Sequence, residues 1–509
     1  MDSPATLSRS DGAAGPDSRA RFPAVARGLA SLLAPIDIAS LVYFRIGFGL
    51  FMAWWAFSYL ATGRVRAFYV DPLFHFTYYG FDWVHPWPGA GMYVHFAVVG
   101  LLGICVAAGF LYRWTTPLLA LGFTYVFLID RSNYQNHYYL LTLLCWMTTL
   151  LPANRAWSFD AVQRPRIRSQ AVPCWTLWLI RFHVALPYFF GGIAKFHSDW
   201  FAGEPMRQVL ASKASFPVFG PWLASPSAVP VFIWGGLLFD LAVVPLLLWR
   251  WTRPLAFALC VLFHVTNSLL FSIHIFPWFM IFSTAMFFEP EWPRRLFRMP
   301  RSVPVGSPAP AFRSPQRWQV ASIGVYCLFQ LVWPLRHFLY EGDVSWHERG
   351  HYFAWHMMLR GKSTGIRYYM VEPGSGRTWV PPLSRILTLE QLQKVGRDPE
   401  MVLQLAQYLA SEHHRQTGRE VEVHALVLSS LNGRKPQLLV DPAVDLAREP
   451  RGFHKRPWIM PQNEPLRDEP WTVPLAEWER HVDLPPLPFL RMPAALPQRP
   501  QTTTALYRN

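Results

Sequence analysis

Long apolar stretches fill the first 340 residues of this chain and constrain its fold more than any other feature. Charged residues make up only 16% of the chain, well below the roughly 25% of soluble domains. A membrane-spanning helix needs about 20 consecutive, mostly apolar residues. Nine stretches approach that length: 40–61, 91–112, 115–130, 137–152, 174–195, 230–249, 254–271, 275–289 and 318–338. The pattern predicts a mainly α, polytopic membrane helical bundle of about nine spans.

Composition divides the chain into three predicted regions. Residues 1–34 are rich in Pro, Gly, Ser and Arg, and we expect a disordered, basic segment without a cleavable signal peptide. Residues 35–339 hold the apolar stretches and form the predicted transmembrane domain. Residues 340–509 predict a small C-terminal α+β domain, in which Asn432-Gly433 is a strong hairpin signal between two runs of strand-forming residues.

Arginines between the apolar stretches account for much of the formal net charge of +15 and indicate the orientation. They concentrate at the N-terminus and in the second, fourth, sixth and eighth joints, whereas the intervening joints are poorer in basic residues. Because basic loops remain in the cytoplasm, the alternation predicts a cytoplasmic N-terminus and an extracytoplasmic C-terminal domain. The arginines form no single patch, which argues against nucleic-acid binding.

Several kinds of site have no support in the sequence. The five cysteines lie in or beside apolar stretches and form no CxxC pair, so they indicate small buried residues rather than disulfides or a metal site. There is no P-loop, no dinucleotide-binding glycine pattern and no GxSxG nucleophile elbow. There is also no convincing internal repeat of the kind common in transporters. Because neither the cysteines nor any motif indicates a metal site, we expect no bound metal.

Polar residues near the predicted outer side of the bundle suggest one cavity. Lys195 ends the fifth apolar stretch and His137 opens the fourth. His264 and Asn267 lie three residues apart in the seventh stretch and therefore share a helix face. Lys195 has two interpretations: a rim lysine that extends to water, or a desolvated lysine whose lowered pKa allows the neutral amine to act as a base.

Three further charged residues, Arg45, Arg181 and Asp240, lie inside predicted spans. A charge in the middle of a membrane helix costs about 2.5–3.5 kcal/mol on insertion scales, so such residues usually face a partner or a cavity. We expect buried arginine–aspartate pairing that fixes helix packing, for instance between Arg181 and Asp240.

An ordered set of short segments carries a family resemblance. The segments are Phe44-Arg45 with Gly47 to Gly49, Tyr125 to Asp130, Asn136 to Leu140, Lys195 with Asp199-Trp200, Gly235 to Leu241, Phe263-His264 with Asn267-Ser268, Leu270 to Ile273, Pro290 to Arg294, Trp355 with Met357-Met358, and Asp441-Pro442 with Val444-Asp445. In this order they resemble the vitamin K-dependent γ-glutamyl carboxylase family, within the group of horizontally transferred transmembrane (HTTM) domains. The likeness covers residues 35 to 462.

The resemblance implies a membrane-bound carboxylase and epoxidase of the carbon–carbon lyase class. Its cofactor would be vitamin K hydroquinone or menaquinol, oxidised by O2 to an epoxide. The strong base formed on the way would remove a γ-hydrogen from a glutamate in a peptide or protein substrate, which then adds CO2 to give γ-carboxyglutamic acid. Such chemistry needs the cofactor, because no side chain is basic enough to remove that hydrogen.

The resemblance also assigns roles to residues. It implies that Lys195 deprotonates the hydroquinone and that His137 assists catalysis. It implies that Asn136, His264 and Asn267 bind the cofactor, where hydrogen bonds can orient a ring oxygen and stabilise developing charge. The lack of the animal-type cysteine pair fits a bacterial chain, in the inner membrane with its C-terminal domain in the periplasm.

Two departures from the animal enzymes leave alternatives open. The chain ends where those enzymes have a long further portion, and residues 359–364 are basic where those enzymes are histidine rich. Both bear on glutamate carboxylation more than on quinol oxidation. One alternative is therefore a quinol epoxidase-like relative without carboxylation. The other is a non-enzymatic quinone-binding or transport protein in the lipid bilayer.

Overall fold

The computed structural model describes residues 31–299, except Ser272 and His274, and residues 317–489, except Pro488. Most of the predicted N-terminal segment 1–34 and its arginines therefore lie outside the described residues. The same holds for Arg301 and Arg313 of the eighth joint and for residues 490–509.

Each of the nine predicted apolar stretches coincides with a helix. The helices are α1 (Ala39–Ala61), α2 (Gly91–Ala108), α3 (Tyr112–Ile129), α4 (Asn136–Thr148), α5 (Trp175–Ile193), α6 (Ala228–Leu248), α7 (Arg253–Leu270), α8 (Phe276–Thr284) and α9 (Arg317–Val332). Short helices in the connections comprise Phe159–Gln163, Ser198–Phe201, Met206–Ala211, Gly220–Leu223, Trp292–Leu296 and Val344–His347. The chain is thus mainly helical, as its apolar periodicity predicts.

Six helices of the described part are long and apolar enough to cross a membrane: α1, α2, α5, α6, α7 and the segment Trp318–Leu339, which includes all of α9 but its first residue. The other three are shorter or more polar. Helix α4 has only 13 residues, which at 1.5 Å per residue is well short of the roughly 30 Å hydrocarbon core. The protein is a membrane protein with six candidate spans, and the count of nine crossings stays a prediction.

Helices α1 and α2 approach each other through two glycines. A Cβ at Gly49 would lie 2.6 Å from the Gly103 carbonyl oxygen, and a Cβ at Gly103 would lie 2.8 Å from that of Gly49. Any side chain at either position would force the backbones apart. Small residues at such a contact allow the close packing that stabilises helix pairs in membranes.

The buried arginines bind backbone carbonyl groups. Arg45 is 1% exposed and donates hydrogen bonds to the carbonyl oxygens of Ala107, Ala153 and Ala156. Arg181 donates to the carbonyl oxygens of Met286 and Phe288. Both arginines therefore cap the ends of neighbouring segments, and the expected arginine–aspartate pairing is wrong.

The C-terminal part contains a four-stranded antiparallel sheet in the order β4-β3-β5-β6. Its strands are β3 (Lys362–Val371), β4 (Thr378–Trp379), β5 (Glu422–Leu431) and β6 (Gln437–Leu438), and a separate pair is formed by β1 (Pro35–Asp37) and β2 (Ala171–Pro173). Between β4 and β5 lie helices α10 (Leu389–Val395) and α11 (Pro399–Thr417), and a last short helix spans Trp478–His481. Asn432 and Gly433 both have positive φ in the β5–β6 turn, as the hairpin signal predicts.

Candidate functional site

One cavity of about 820 Å³ lies between α5, α6, α7, the start of α4 and residues 356–358. Its wall is mostly apolar and is supplied largely by α6 and α7. The five candidate residues from the sequence all line it: Lys195, His137, Asn136, His264 and Asn267. The structure therefore brings together residues from three helical regions that are far apart in the chain. A cavity of this size falls in the range that holds small-molecule ligands.

Lys195 follows the end of α5 and is buried, with 6% exposure. Its Nζ donates hydrogen bonds to Asp240 Oδ2 at 2.5 Å and to the Gly191 carbonyl oxygen at 3.1 Å. The ring of Trp200 lies 5.3 Å from the same nitrogen. These contacts exclude a rim lysine that extends to water.

Two glycines allow Asp240 to reach Lys195. A Cβ at Gly191 would lie 3.2 Å from Asp240 Oδ2, and a Cβ at Gly192 would lie 2.6 Å from the Leu241 side chain. The absence of side chains lets α5 pack directly against α6. Since Asp240 is itself buried, the carboxylate faces the amine in a medium of low dielectric constant, which strengthens their attraction.

The Asp240 carboxylate changes the expected chemistry of Lys195. An adjacent opposite charge favours the ammonium form of a lysine, whereas burial alone favours the amine. The second sequence interpretation is a desolvated, neutral amine, and the sequence analysis pairs Asp240 with an arginine. The structure instead shows an ion pair. Any proton transfer by Lys195 must therefore involve Asp240 as well.

The start of α4 is held against the C-terminal part by Asn136. Its Nδ2 donates to the carbonyl oxygen of His356 at 3.0 Å, and its Oδ1 accepts from the Tyr134 hydroxyl at 2.9 Å. The next residue, His137, stacks on the ring of Phe276, with centroids 5.0 Å apart. Asn136 therefore positions this corner of the cavity, with His137 beside it.

On α7, His264 and Asn267 line the cavity. His264 is buried, and its Nε2 lies 2.6 Å from the hydroxyl oxygen of Tyr188 on α5. The side chain of Asn267 has no hydrogen-bond partner among the described residues and lines the cavity wall. Its amide is thus available to a ligand, whereas His264 already has one partner.

Two lining residues were not predicted as site residues. Asp240 stands out by its charge within an apolar stretch, but its partner depends on helix order. His356 lies in a connection after the last span, and both of its ring nitrogens are buried without a hydrogen-bond partner among the described residues. No local pattern marks it, because only the fold brings that connection to the cavity.

An ion pair anchors the loop after Lys195 to the C-terminal sheet. Arg434 donates to both Asp199 carboxylate oxygens, at 2.5 and 2.7 Å, and Asn432 donates to one of them at 2.8 Å. Burial raises the pKa of Asp199, but the hydrogen bonds and charge of Arg434 outweigh it, so the pKa lies below its ordinary value of 3.8. The loop is therefore fixed by a charged, buried contact.

We expect Arg434→Ala to lower the free energy of unfolding by about 3–5 kcal/mol, because it leaves a buried carboxylate unpaired. Denaturant titration in detergent measures this loss. Because the folded-state pKa is depressed, the wild-type advantage persists above pH 3.8 and disappears as the pH falls below that value. Arg448→Ala is the control. Arg448 is exposed beside Asp445, so its replacement should lower the free energy of unfolding by under about 1 kcal/mol. Equal losses in the two variants would contradict the prediction.

The helices and the apolar cavity define a polytopic membrane protein with a candidate site for a lipophilic ligand. Residues 33–292 match the HTTM domain family, and residues 315–465 match the lumenal domain of vitamin K-dependent γ-carboxylase. The two matches are consecutive and together span most of the chain. The chain belongs to the vitamin K-dependent γ-carboxylase family and carries an HTTM domain. No solved structure matches it.

Proposed function

We propose that this protein oxidises a vitamin K-type hydroquinone to its epoxide and uses that reaction to carboxylate glutamates in a peptide or protein. The observation that carries the proposal is a buried lysine–aspartate pair in a largely apolar cavity of about 820 Å³, in a chain of the carboxylase family. Such a cavity fits the ring and the first isoprenoid units of a lipophilic quinol. The few polar groups on its wall could hydrogen-bond to the two ring oxygens of the quinol.

The bound hydroquinone, with O2, would supply the base strength that no side chain has. Lys195 would accept a proton at Nζ from the ring hydroxyl. For this step Nζ must first give up a proton of its own, and Asp240 Oδ2 lies 2.5 Å away to hold it. Burial disfavours both charges of the pair. A ligand that excludes water would therefore favour a neutral Lys195 amine and a protonated Asp240 carboxyl over the ion pair.

The remaining polar residues would orient the ligand. His137 and the free amide of Asn267 line different parts of the wall and would hydrogen-bond to ring oxygens. Asn136 would keep His137 in place through its contact with the C-terminal part. His264, bonded to Tyr188, would present its remaining nitrogen to the ligand. Water exclusion by the apolar wall would protect the reactive species.

The orientation follows from the charged loops. We propose a cytoplasmic N-terminus and a periplasmic C-terminal part in a bacterial inner membrane, with nine crossings in all. The peptide substrate would then meet the cavity from the periplasmic side, at residues 356–358. The quinol would enter from the lipid bilayer.

The proposal is tested with protein in lipid nanodiscs, reduced vitamin K, O2, labelled bicarbonate and a glutamate-containing peptide. We expect label in the peptide and epoxide in the lipid fraction, both dependent on the reduced quinol. The same peptide with glutamine in place of glutamate is the control. Epoxide without label would favour the epoxidase-like alternative. Bound quinone by mass spectrometry with neither product would favour a binding or transport protein.

A further inference from the structure

His356 is a buried polar side chain on the cavity wall. It is 6% exposed, and neither Nδ1 nor Nε2 has a hydrogen-bond partner among the described residues. A neutral imidazole has one donor and one acceptor, and each buried group left unsatisfied costs about 1–3 kcal/mol. An imidazole whose two nitrogens lack partners can hydrogen-bond to a ligand that enters the cavity.

The backbone around His356 holds the ring in place at a further cost. Phe353, Trp355 and Met358 all have positive φ, a conformation that costs a non-glycine residue about 1–3 kcal/mol. Asn136 binds the carbonyl group of His356, and Trp355 is fully buried. Strain of this kind persists only where the surrounding structure enforces it. The placement of the ring is therefore built into the fold.

His356 connects the cavity to titratable groups outside it. Its ring centroid lies 5.3 Å from that of His351. His351 Nδ1 lies 3.7 Å from Glu348 Oε2, one small side-chain movement from a hydrogen bond. The ring of His337 lies nearly perpendicular to that of His356, with the centroids 4.7 Å apart. A path of adjacent titratable side chains thus runs from the cavity to Glu348.

The charges around this path set where a proton rests. Burial and, after it, the charges of four neighbours together lower the pKa of His356 to about 3: His337, Arg360, His197 and Arg336. Burial also lowers the pKa of His351, with further lowering by Arg360, His356, Lys362 and Arg336. Burial, the largest cause, raises the pKa of Glu348, the charges of Arg360 and Lys362 lower it and that of Asp398 raises it, and the net value is about 7. A proton on this path therefore rests on Glu348.

The proposed reaction releases a proton that must leave the cavity. One hydroquinone, one O2, one glutamate and one CO2 give one epoxide, one water, one γ-carboxyglutamate and one proton. The Lys195–Asp240 pair takes up the proton of the hydroquinone and must release it again before the next turnover. The product also carries an extra negative charge, which would favour protonation of a nearby imidazole.

We propose that His356 takes this proton from the cavity and passes it through His351 to Glu348. The inference rests on the proposed carboxylation as the source of the proton. Arg360 contacts the His351 ring through Nη1 and pairs with Glu348 Oε1 through Nε at 2.8 Å. Transfer into His351 and protonation of Glu348 therefore both require the Arg360 side chain to move. The Arg360 side chain is 24% exposed and so has room to move. His356 and Glu348 are proton carriers here, and Lys195 keeps its own role.

The test compares His356→Ala with His347→Ala. His347 is buried in the same connection and also has an unpartnered ring nitrogen, but it does not line the cavity. We expect His356→Ala to lower kcat for carboxylation by at least about tenfold, with KM for quinol and peptide changed by less than about threefold. Added imidazole should restore kcat, and the rescue should follow the pKa of the substituted imidazole used. His347→Ala should leave kcat unchanged. Retained kcat, a raised KM with normal kcat, or no rescue would overturn the inference.

A second measurement is independent of turnover. Infrared titration of the full-length protein should show a buried carboxyl group that titrates near pH 7 and disappears in Glu348→Gln. A Glu348 carboxyl that stays ionised across the neutral range would overturn the inference even in an active protein. If the wild-type protein forms neither labelled peptide nor epoxide, the proposed function is refuted. The infrared titration of Glu348 can still be measured in that case, so the two failures are distinguishable.

Discussion

Replacing Lys195 by arginine is expected to reduce epoxide formation by about 10²–10⁴-fold while the protein stays folded. The magnitude is that of losing a general base. Arginine keeps the positive charge and can pair with Asp240, but it does not release a proton in proteins. The substitution therefore separates ion pairing from proton transfer. Epoxide is measured by chromatography of the lipid extract, with quinone binding followed in parallel.

Lys213→Arg is the matched control, because Lys213 lies in the loop after Lys195 but does not line the cavity. It should keep full activity. Lys195→Ala should also lose activity, but it leaves Asp240 buried without a partner and so confounds catalysis with stability. Epoxide formation at the wild-type rate by Lys195→Arg would show that the lysine serves only as a counter-ion to Asp240.

The second large effect is expected in stability. Asp240→Ala should lower the free energy of unfolding by about 3–5 kcal/mol, because it strands a buried ammonium group without its carboxylate. The double variant Lys195→Ala with Asp240→Ala should lose clearly less than the sum of the two single variants. Both losses are measured by denaturant titration in the same detergent.

Glu289→Ala provides the comparison for this cycle. Glu289 pairs with Arg253 at the other end of α7, but its side chain is 44% exposed, so its loss should cost under about 1 kcal/mol. Strict additivity of Lys195→Ala and Asp240→Ala would mean that the two side chains do not interact in solution. The ion-pair description of the site would then be wrong.

Local patterns predicted the helices and the turns. All nine apolar stretches are helical, because a helix satisfies its backbone hydrogen bonds within the segment itself where no water is present. The Asn432-Gly433 turn also follows from local chemistry, because both residues tolerate positive φ. The strand order of the sheet could not be predicted from local patterns, because β3 pairs with β5 across two intervening helices. That pairing depends on contacts between segments more than fifty residues apart.

Residues of the candidate site were predicted in part. Lys195, His137, Asn136, His264 and Asn267 stood out as polar groups in an apolar setting, and all of them line one cavity. Their catalytic and binding roles stay predictions. The partner of Asp240 was predicted wrongly as an arginine, because a charge inside a span indicates that a partner exists without showing which one.

The sequence by itself determined a helical membrane protein with a small mixed C-terminal part, because apolar length and turn residues act locally. Only the tertiary structure decided that Asp240 faces Lys195, that Arg45 and Arg181 bind carbonyl groups, and that His356 reaches the cavity. These contacts depend on which helices are neighbours and on how closely glycines such as Gly191 let them approach. Such distances are set by the packing of the whole bundle, and no stretch of sequence encodes them alone.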